Sequence, residues 1–285
     1  MNNVRIVTDS NVAIAPELIE RHQIRILPHL IKANGKISEE QPDYGVEALF
    51  AQLPPAAMLT RDQLPLVLPA DLNSIVRCYQ QVAREAEQIV SIHLSSQLSP
   101  MWNMARRAAE MLKGRYTIRV IDSMSASYGL GILVEMAAEA AARGAPVHEI
   151  ARLVNGAVPH LYLSVFSESL NYLERSAHLS GSQSILGTLL GIKAMLMMEE
   201  GKFHPLEKVQ TREEVVDKLF EFVGEFAHVE RVGIMQHMYA DERETLTERL
   251  RELLPNATIQ AIPYPPSLAV HLGPNMLGVV VYEGA

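Results

Sequence analysis

The sequence predicts an α/β protein of two α/β domains: an N-terminal parallel, doubly wound sheet over residues 1–158 and a C-terminal mixed sheet over 159–285. Three observations predict it. Short apolar runs at Val4–Thr8, Ile89–Leu94 and Thr117–Ile121 each give way to hydroxyl or Asp-Ser residues and then to a helical pattern. That is the β-α-β rhythm of a parallel sheet. Beyond Pro159 the rhythm changes to unevenly spaced strands and helices. The third observation is bulk: 285 residues, 48% hydrophobic and 20% charged, can bury a large core without covalent staples.

Val4–Thr8 is the first strand. Thr8-Asp9-Ser10-Asn11 then offers four capping residues to a helix that carries Pro16, Leu18 and Ile19. Arg25–Leu30 reads as a second strand, and the Asn34-Gly35 turn makes Ile31–Ile37 a hairpin-like excursion. Pro42–Leu53 holds a helix stopped by Pro54-Pro55, and Ala56–Pro69, which contains Thr60, reads as irregular. A helix over Asp71–Gln88 leads into the strand Ile89–Leu94. Ser99 caps a helix over Met101–Lys113 with Pro100 at its first position, and Gly114 ends it. Thr117–Ile121 is a strand, followed after Asp122-Ser123 by an Ala-rich helix to Arg143 and a further helix over Val147–Val158.

In the second half, Leu161–Phe166 reads as a strand, Leu170–Arg175 as a short helix and Ser176–Ser184 as a small-residue loop. Ile185–Met198 is apolar and fits helix or strand; its crowded leucines and methionines suit an ordinary core helix or a surface that adapts to variable chains. Gly201–Val209 is extended, Thr211–Ala227 helix, Arg231–Gln236 strand, Asp241–Leu254 helix and Thr258–Ile262 strand. A Pro-rich turn and a short segment ending in His271-Leu272-Gly273-Pro274 precede the last strand, Leu277–Tyr282.

The net charge of −8 argues against a general nucleic-acid or anionic-membrane surface. Arg106-Arg107 and Arg115/Arg119 read as solvated helix and strand ends. The single cysteine, Cys78, excludes an internal disulfide and any multi-cysteine metal site, and it reads as a small buried hydrophobe. The N-terminus has no signal-peptide architecture, and the longest apolar run is interrupted by Gly191 and Lys193. No membrane span is therefore expected, and the chain reads as cytoplasmic. Ten histidines are scattered without metal-ligand spacing, and no phosphate-binding glycine loop or nucleophile elbow occurs. Neither a metal nor a cofactor is expected.

Strand C-termini of a parallel sheet share one edge, where open α/β sheets bind ligands. Asp9, Ser10, Ser95, Ser96, Asp122 and Ser123 are expected to converge there. Hydroxyls and free N–H groups at helix starts favour an anionic head group. Ser95 and Ser96 precede the Ser99 cap, so capping does not explain them. His271 stands before a Gly273-Pro274 turn that fixes its backbone; the plain alternative is a packed or surface turn residue. A nucleophile–His–acid triad of Ser95 or Ser96, His271 and Asp9 is the competing reading of the same residues.

Taken together these segments resemble the DegV family of bacterial fatty-acid-binding proteins over essentially the whole chain. Val7-Thr8-Asp9-Ser10 is similar to that family's opening Asp-Ser motif, and Ser95-Ser96-Gln97-Leu98-Ser99 to its Ser-Ser-x-Leu-Ser motif. Val120–Ser123 with Gly129-Leu130-Gly131 resembles its second Asp-Ser motif. Leu170-x-Tyr172-Leu173, Leu189–Lys193 and His271-x-Gly273-Pro274 follow in the family's order. The resemblance implies two α/β domains holding a fatty acid between them. The acyl chain would run into an apolar tunnel, and the carboxylate would meet Ser95 or Ser96, with His271 nearby. Thr60 is the nearest counterpart of a family threonine, and His178 stands where the family has an arginine. Ser10, Ser123 and Gly273 complete the candidate ligand-binding set.

Burying about fourteen methylenes at roughly 0.8 kcal/mol each gives on the order of 11 kcal/mol, so such a site needs binding geometry and no nucleophile. The expectation is therefore non-enzymatic lipid binding and a carrier role. The alternative is a serine-dependent hydrolase or acyl or phosphoryl transferase using Ser95 or Ser96 with His271. A third reading is a decayed pocket filled by Trp102 or Met195–Met198. Some members of the family hand their fatty acid to a kinase. Here the family's basic residues are replaced at His178 and in Gln210-Thr211-Arg212-Glu213-Glu214, which argues against that partnership, as does Pro100-Met101-Trp102 for an unaltered head-group site.

Overall fold

The computed structural model describes residues 4–54, 60–86, 88–175 and 193–284. The N-terminal half runs β1 (Val4–Asp9), α1 (Pro16–His22), β2 (Arg25–Leu27), β3 (Leu30–Ala33), β4 (Lys36–Glu39), α2 (Val46–Phe50), β5 (Leu66–Leu68), α3 (Leu72–Val82), β6 (Gln88–His93), α4 (Met101–Met111), β7 (Thr117–Asp122), α5 (Tyr128–Ala142) and α6 (Val147–Ala157). β2-β1-β6-β7 form an all-parallel sheet in that order. β1 and β6 are buried almost from end to end, as strands covered on both faces must be.

The second half runs β8 (Leu161–Ser167), α7 (Leu170–Arg175), β9 (Lys193–Glu199), β10 (Lys202–Val209), α8 (Arg212–Gly224), β11 (Val229–His237), α9 (Ala240–Leu253), β12 (Thr258–Ala261), α10 (Pro266–Leu272) and β13 (Met276–Glu283). Its sheet is mixed, in the order β10-β9-β8-β13-β11-β12. Only β11–β12 pair in parallel; the rest are antiparallel. The expected two-sheet α/β architecture is what the chain adopts.

Several expected elements differ. The helix expected over Asp71–Gln88 stops at Val82, because Gln88 already pairs with Val4 in the sheet. The helix expected over Pro42–Leu53 is a single turn, Val46–Phe50. Part of the stretch read as irregular is β5, which completes a small antiparallel sheet, β4-β3-β5, with the Asn34-Gly35 hairpin. Three apolar residues beside Pro65 and Pro69 carry too little periodicity to reveal a strand. The segment before Gly273 is the helix α10, and all seven of its residues are buried. The loop expected over Ser176–Ser184, and the part of Ile185–Met198 before Lys193, lie outside the described residues; the remainder is β9.

α5 shows how the two sheets share a core. It packs on β1 and β6 on one side and on β13 and β8 on the other. Tyr128 and Ile132 join the apolar cluster that reaches the mixed sheet, whereas Leu130, Leu133, Val134 and Ala137 join the cluster of the parallel sheet. A helix packed on two sides needs apolar residues around most of its surface, which explains its Ala-rich sequence; Glu135 and Glu139 mark the narrow half-buried stripe that remains.

Gly131 lies where α5 meets the loop after β1. A Cβ there would stand 1.9 Å from the Ala13 carbonyl oxygen, which is backbone and cannot step aside. Gly156, in α6, has nothing within 4 Å of a built Cβ. Gly131→Ala is therefore expected to destabilise by ~1–3 kcal/mol through overpacking. Gly156→Ala is expected to stabilise by up to about 1 kcal/mol through helix propensity. Urea denaturation of the two variants checks this; equal effects of either sign would contradict the packing described.

Candidate functional site

The C-terminal ends of β1, β6 and β7 come together, and their acids fasten the turns of neighbouring strands. Asp9 Oδ2 accepts the Leu94 N–H at 2.9 Å, and Oδ1 accepts the Asn11 N–H at 3.2 Å. Asp122 accepts the N–H groups of Ser96 and Met124 at 3.2 and 3.0 Å. Ser95 N–H donates to the Ser125 carbonyl and Ser123 N–H to the His93 carbonyl. The loop 94–99 is thereby held by two carboxylates and a neighbouring loop before any ligand contact is considered.

The serines of the edge have assigned tasks. Ser95 Oγ donates to the Gly201 carbonyl at 2.8 Å and accepts the Gln97 N–H. Gly201 forms the tip of the β9–β10 hairpin at φ +77°, and a Cβ there would collide with Ser95 Oγ. The second sheet thus rests its hairpin on the first sheet's serine loop. Ser96 is half-buried, and its Oγ makes no hydrogen bond among the described residues. Ser99 Oγ accepts the Met101 N–H and meets His29 Nε2 at 3.0 Å, but it lies one residue before the N-cap, which is Pro100 and not Ser99 as expected. α4 starts at Met101, so Pro100 sits one position before the expected one. Ser123 Oγ donates to the Ser125 carbonyl. Ser10 Oγ donates to Glu40 Oε2 at 2.5 Å.

Behind the serines lies a polar network that the sequence reading missed. Asp9 is fully buried, with His93 Nδ1 at 3.0 Å from Oδ2 and His29 Nδ1 at 3.8 Å from Oδ1. A carboxylate only accepts, so His93 carries its proton on Nδ1 there. Burial by itself raises the Asp9 carboxyl; the neighbouring His29, the His93 hydrogen bond and the Leu94 N–H outweigh it and hold Asp9 below the usual carboxylate range. Glu40 is also buried, and burial pushes its carboxyl up despite His29, Ser10 and Ser267. Glu40 Oε1 accepts the Ser267 N–H at 2.6 Å, and Asn11 Nδ2 donates to Ser267 Oγ at 2.8 Å. Ser267 begins α10, the helix that carries His271, so this network also sets where His271 sits. Two ionisable residues closing apolar strands, Asp9 and His93, were the available signal. Nothing in the spacing of His29 or Glu40 marked them.

Asp9, His93 and Ser91 also form the order of a hydrolase triad, with Ser91 Oγ 2.7 Å from His93 Nε2. Tyr79 OH donates to Ser91, and Ser91, His93 and Asp9 are all 0% exposed. The arrangement is a sealed structural relay. It engages Asp9 with His93, the acid that the competing reading assigned to His271.

His271 is 7% exposed on α10, and Gly273 ends that helix at φ +79° with its carbonyl accepting from Tyr264 OH. A Cβ on Gly273 would press on the Tyr172 ring at 2.8 Å, so glycine is required twice over. Thr60 is exposed, and its hydroxyl donates to Gln63 at 3.0 Å in a local turn. His178 lies outside the described residues. Trp102 is half-buried under the Arg106 guanidinium, 4.7 Å from its ring centroid. Leu94 and Leu98, flanking Ser95, enter the largest apolar cluster together with Ile31, Leu163, Phe203 and Leu268. That cluster joins the serine loop and α5 to strands of the mixed sheet and of the small one. Among the described residues no group of three or more His, Cys, Asp or Glu side chains could hold a metal, and no helix is long and apolar enough to cross a membrane.

Asp9→Asn is expected to cost about 3 kcal/mol at neutral pH, because it leaves a donor facing His93 in a buried network. The sign with pH follows from the lowered carboxyl. Its contribution is present above the ordinary value of 3.8 and is lost as pH falls through the lower folded value. The gap in stability between wild type and Asp9→Asn should therefore narrow below about pH 4, as denaturant titrations at a series of pH values would show. A gap independent of pH would contradict the assignment.

Comparison with known proteins gives one family. The model of the DegV family of uncharacterised proteins matches residues 3–284. A DegV domain-containing protein of Streptomyces coelicolor is 29% identical over 283 residues, covering 98% of each chain. Among solved structures, a fatty-acid-binding DegV family protein from Thermus thermophilus aligns with TM-score 0.84 at 22% identity, covering 99% of this chain and 100% of that one. The Streptococcus pneumoniae fatty acid kinase B3 protein, loaded with linoleic acid, aligns with TM-score 0.82 at 18% identity over 99% and 100% of the two chains.

Proposed function

This chain belongs to the DegV family, and we propose that it binds a long-chain fatty acid or similar lipid between domains 1–158 and 159–285 without chemical turnover. One observation carries the reading. Ser95 and Ser96 stand at the end of β6, on a loop whose Leu94 and Leu98 are buried in the apolar cluster that joins this loop and α5 to the mixed sheet and the small sheet. Hydroxyls beside a contiguous apolar body suit a carboxylate with a hydrocarbon tail. Solved relatives of the same fold are described as fatty-acid binding, two of them loaded with linoleic or heptadecanoic acid.

In this reading Ser95 or Ser96 receives the carboxylate and His271 lies beside it. Ser10, Ser123 and Gly273 shape the edge, and Thr60 and His178 are its outlying candidates. Among the described residues the Ser96 hydroxyl is not engaged elsewhere, whereas Ser95 would have to share its own with Gly201. Hydrolysis is the weaker reading, because the triad-like set Asp9-His93-Ser91 is sealed in the core and engages the acid that the Ser95/Ser96–His271 reading needs. The protein acts as a lipid carrier. Presentation to a fatty-acid kinase is disfavoured in the 210–214 run, where Gln210 replaces a cation and Arg212 is already paired with Glu242 at 2.9 Å.

Organic extraction of the purified protein followed by mass spectrometry should release about one equivalent of long-chain acid; none in several preparations would sink the reading. Ser95→Ala, Ser96→Ala and His271→Ala should be compared by titration with a fluorescent fatty acid. At least one should weaken binding by about 10–100-fold, since a hydrogen bond to a charged group is worth roughly 1.5–3 kcal/mol. Unchanged affinity in all three would remove the carboxylate from this edge.

A further inference from the structure

We propose that the open edge of β7, together with the flank of α4, is a docking groove for an extended acidic segment of a partner protein, which adds to the parallel sheet as a fifth strand. Among the described residues β7 ends the sheet order β2-β1-β6-β7 and pairs only with β6. It is rich in β-branched residues, Thr117, Ile118, Val120 and Ile121. A groove of about 800 Å³ runs beside it, walled by α4 from Asn103 to Lys113. Unpaired strand N–H and C=O groups next to a groove are what strand addition uses.

Charge chooses the occupant. Between residues 103 and 121 there are five cations, Arg106, Arg107, Lys113, Arg115 and Arg119, against one acid, Glu110, in a chain of net charge −8. Glu110 is already bound to Lys113 at 2.8 Å, and the four arginines have no carboxylate partner among the described residues. The contact of Arg106 with the Trp102 ring restrains that side chain before a partner arrives. Ile118 and Val120 pack toward α4, so strand alternation turns Arg119 to the opposite face. Cations therefore flank both faces of an added strand, and successive residues of an acidic segment would each find one. Arg119 alone would be an ordinary edge guard against aggregation; three arginines lining one groove, Arg106, Arg107 and Arg119, exceed that need. Edge-to-edge pairing with a second copy would bring the same basic rims together across a two-fold axis. Polyanions lacking a peptide backbone would satisfy the arginines and leave the strand edge unpaired.

The test uses the full chain and an eight-residue fluorescein-labelled peptide of alternating glutamate and valine, followed by anisotropy. Saturable binding is expected, weakening at least about tenfold between low and high salt. Binding should be lost in Arg106→Glu/Arg119→Glu and retained in Arg21→Glu/Arg251→Glu, which makes the same charge change on exposed positions of α1 and α9, away from β7. It should also be lost when alternate peptide nitrogens are methylated. Circular dichroism and lipid content of both double variants should match wild type, which separates failure here from failure to fold and from failure of the lipid reading. Absence of peptide binding, equal binding of the methylated peptide, equal loss in both double variants, or a wild-type dimer by sedimentation that Arg106→Glu/Arg119→Glu strengthens would each overturn the proposal.

Discussion

The carboxylate of Asp9 is the constraint on which the candidate site rests. It sits at 0% exposure between two imidazoles, and both its oxygens accept backbone N–H groups, one from its own turn and one from Leu94 on the neighbouring strand. Burying a charge is tolerated only where it is paired and hydrogen-bonded, so the groups around it have little freedom to move. Through Leu94 it fixes the start of the serine loop. Through His29, Ser10 and Glu40 the same network reaches Ser267 and the helix of His271. The hydroxyls of the candidate site are thus positioned by a polar core one layer beneath them.

The second organising feature is α5, a helix with an apolar surface on both sides. Because it belongs to both cores, the two sheets cannot separate without exposing Tyr128 and Ile132 on one side or Leu130 and Leu133 on the other. The Glu135–Arg231 ion pair, 2.6 Å, and the Ser95–Gly201 hydrogen bond add polar ties between the same two bodies. The proposed site between the two sheets would be shaped by a shared core, with its walls held in register from several directions.

The strand-end serines and aspartates were legible in the sequence as a group because period and punctuation reveal strands and their ends. Their individual tasks were not. Asp9 and Asp122 anchor backbone N–H groups, Ser123 and Ser10 close local bonds, and Ser95 carries the hairpin of the other sheet. His29 and Glu40 escaped notice because they stand on short connecting segments that carry no periodic signal; only the folded chain brings Glu40 to within hydrogen-bonding distance of Ser267, 227 positions away.

The sequence by itself determined the strand–helix rhythm, the change of sheet type near Pro159, the hairpin at Asn34-Gly35 and the gathering of hydroxyl-rich strand ends. All of these follow from local periodicity and turn chemistry, which neighbouring residues encode. The tertiary structure decided which helix is buried on both sides, that Leu66–Leu68 joins a small sheet, and that the acid predicted for His271 belongs to His93 and His29. Those outcomes depend on pairings between residues far apart in the chain, where burial forces each polar group to find a partner that no local pattern specifies.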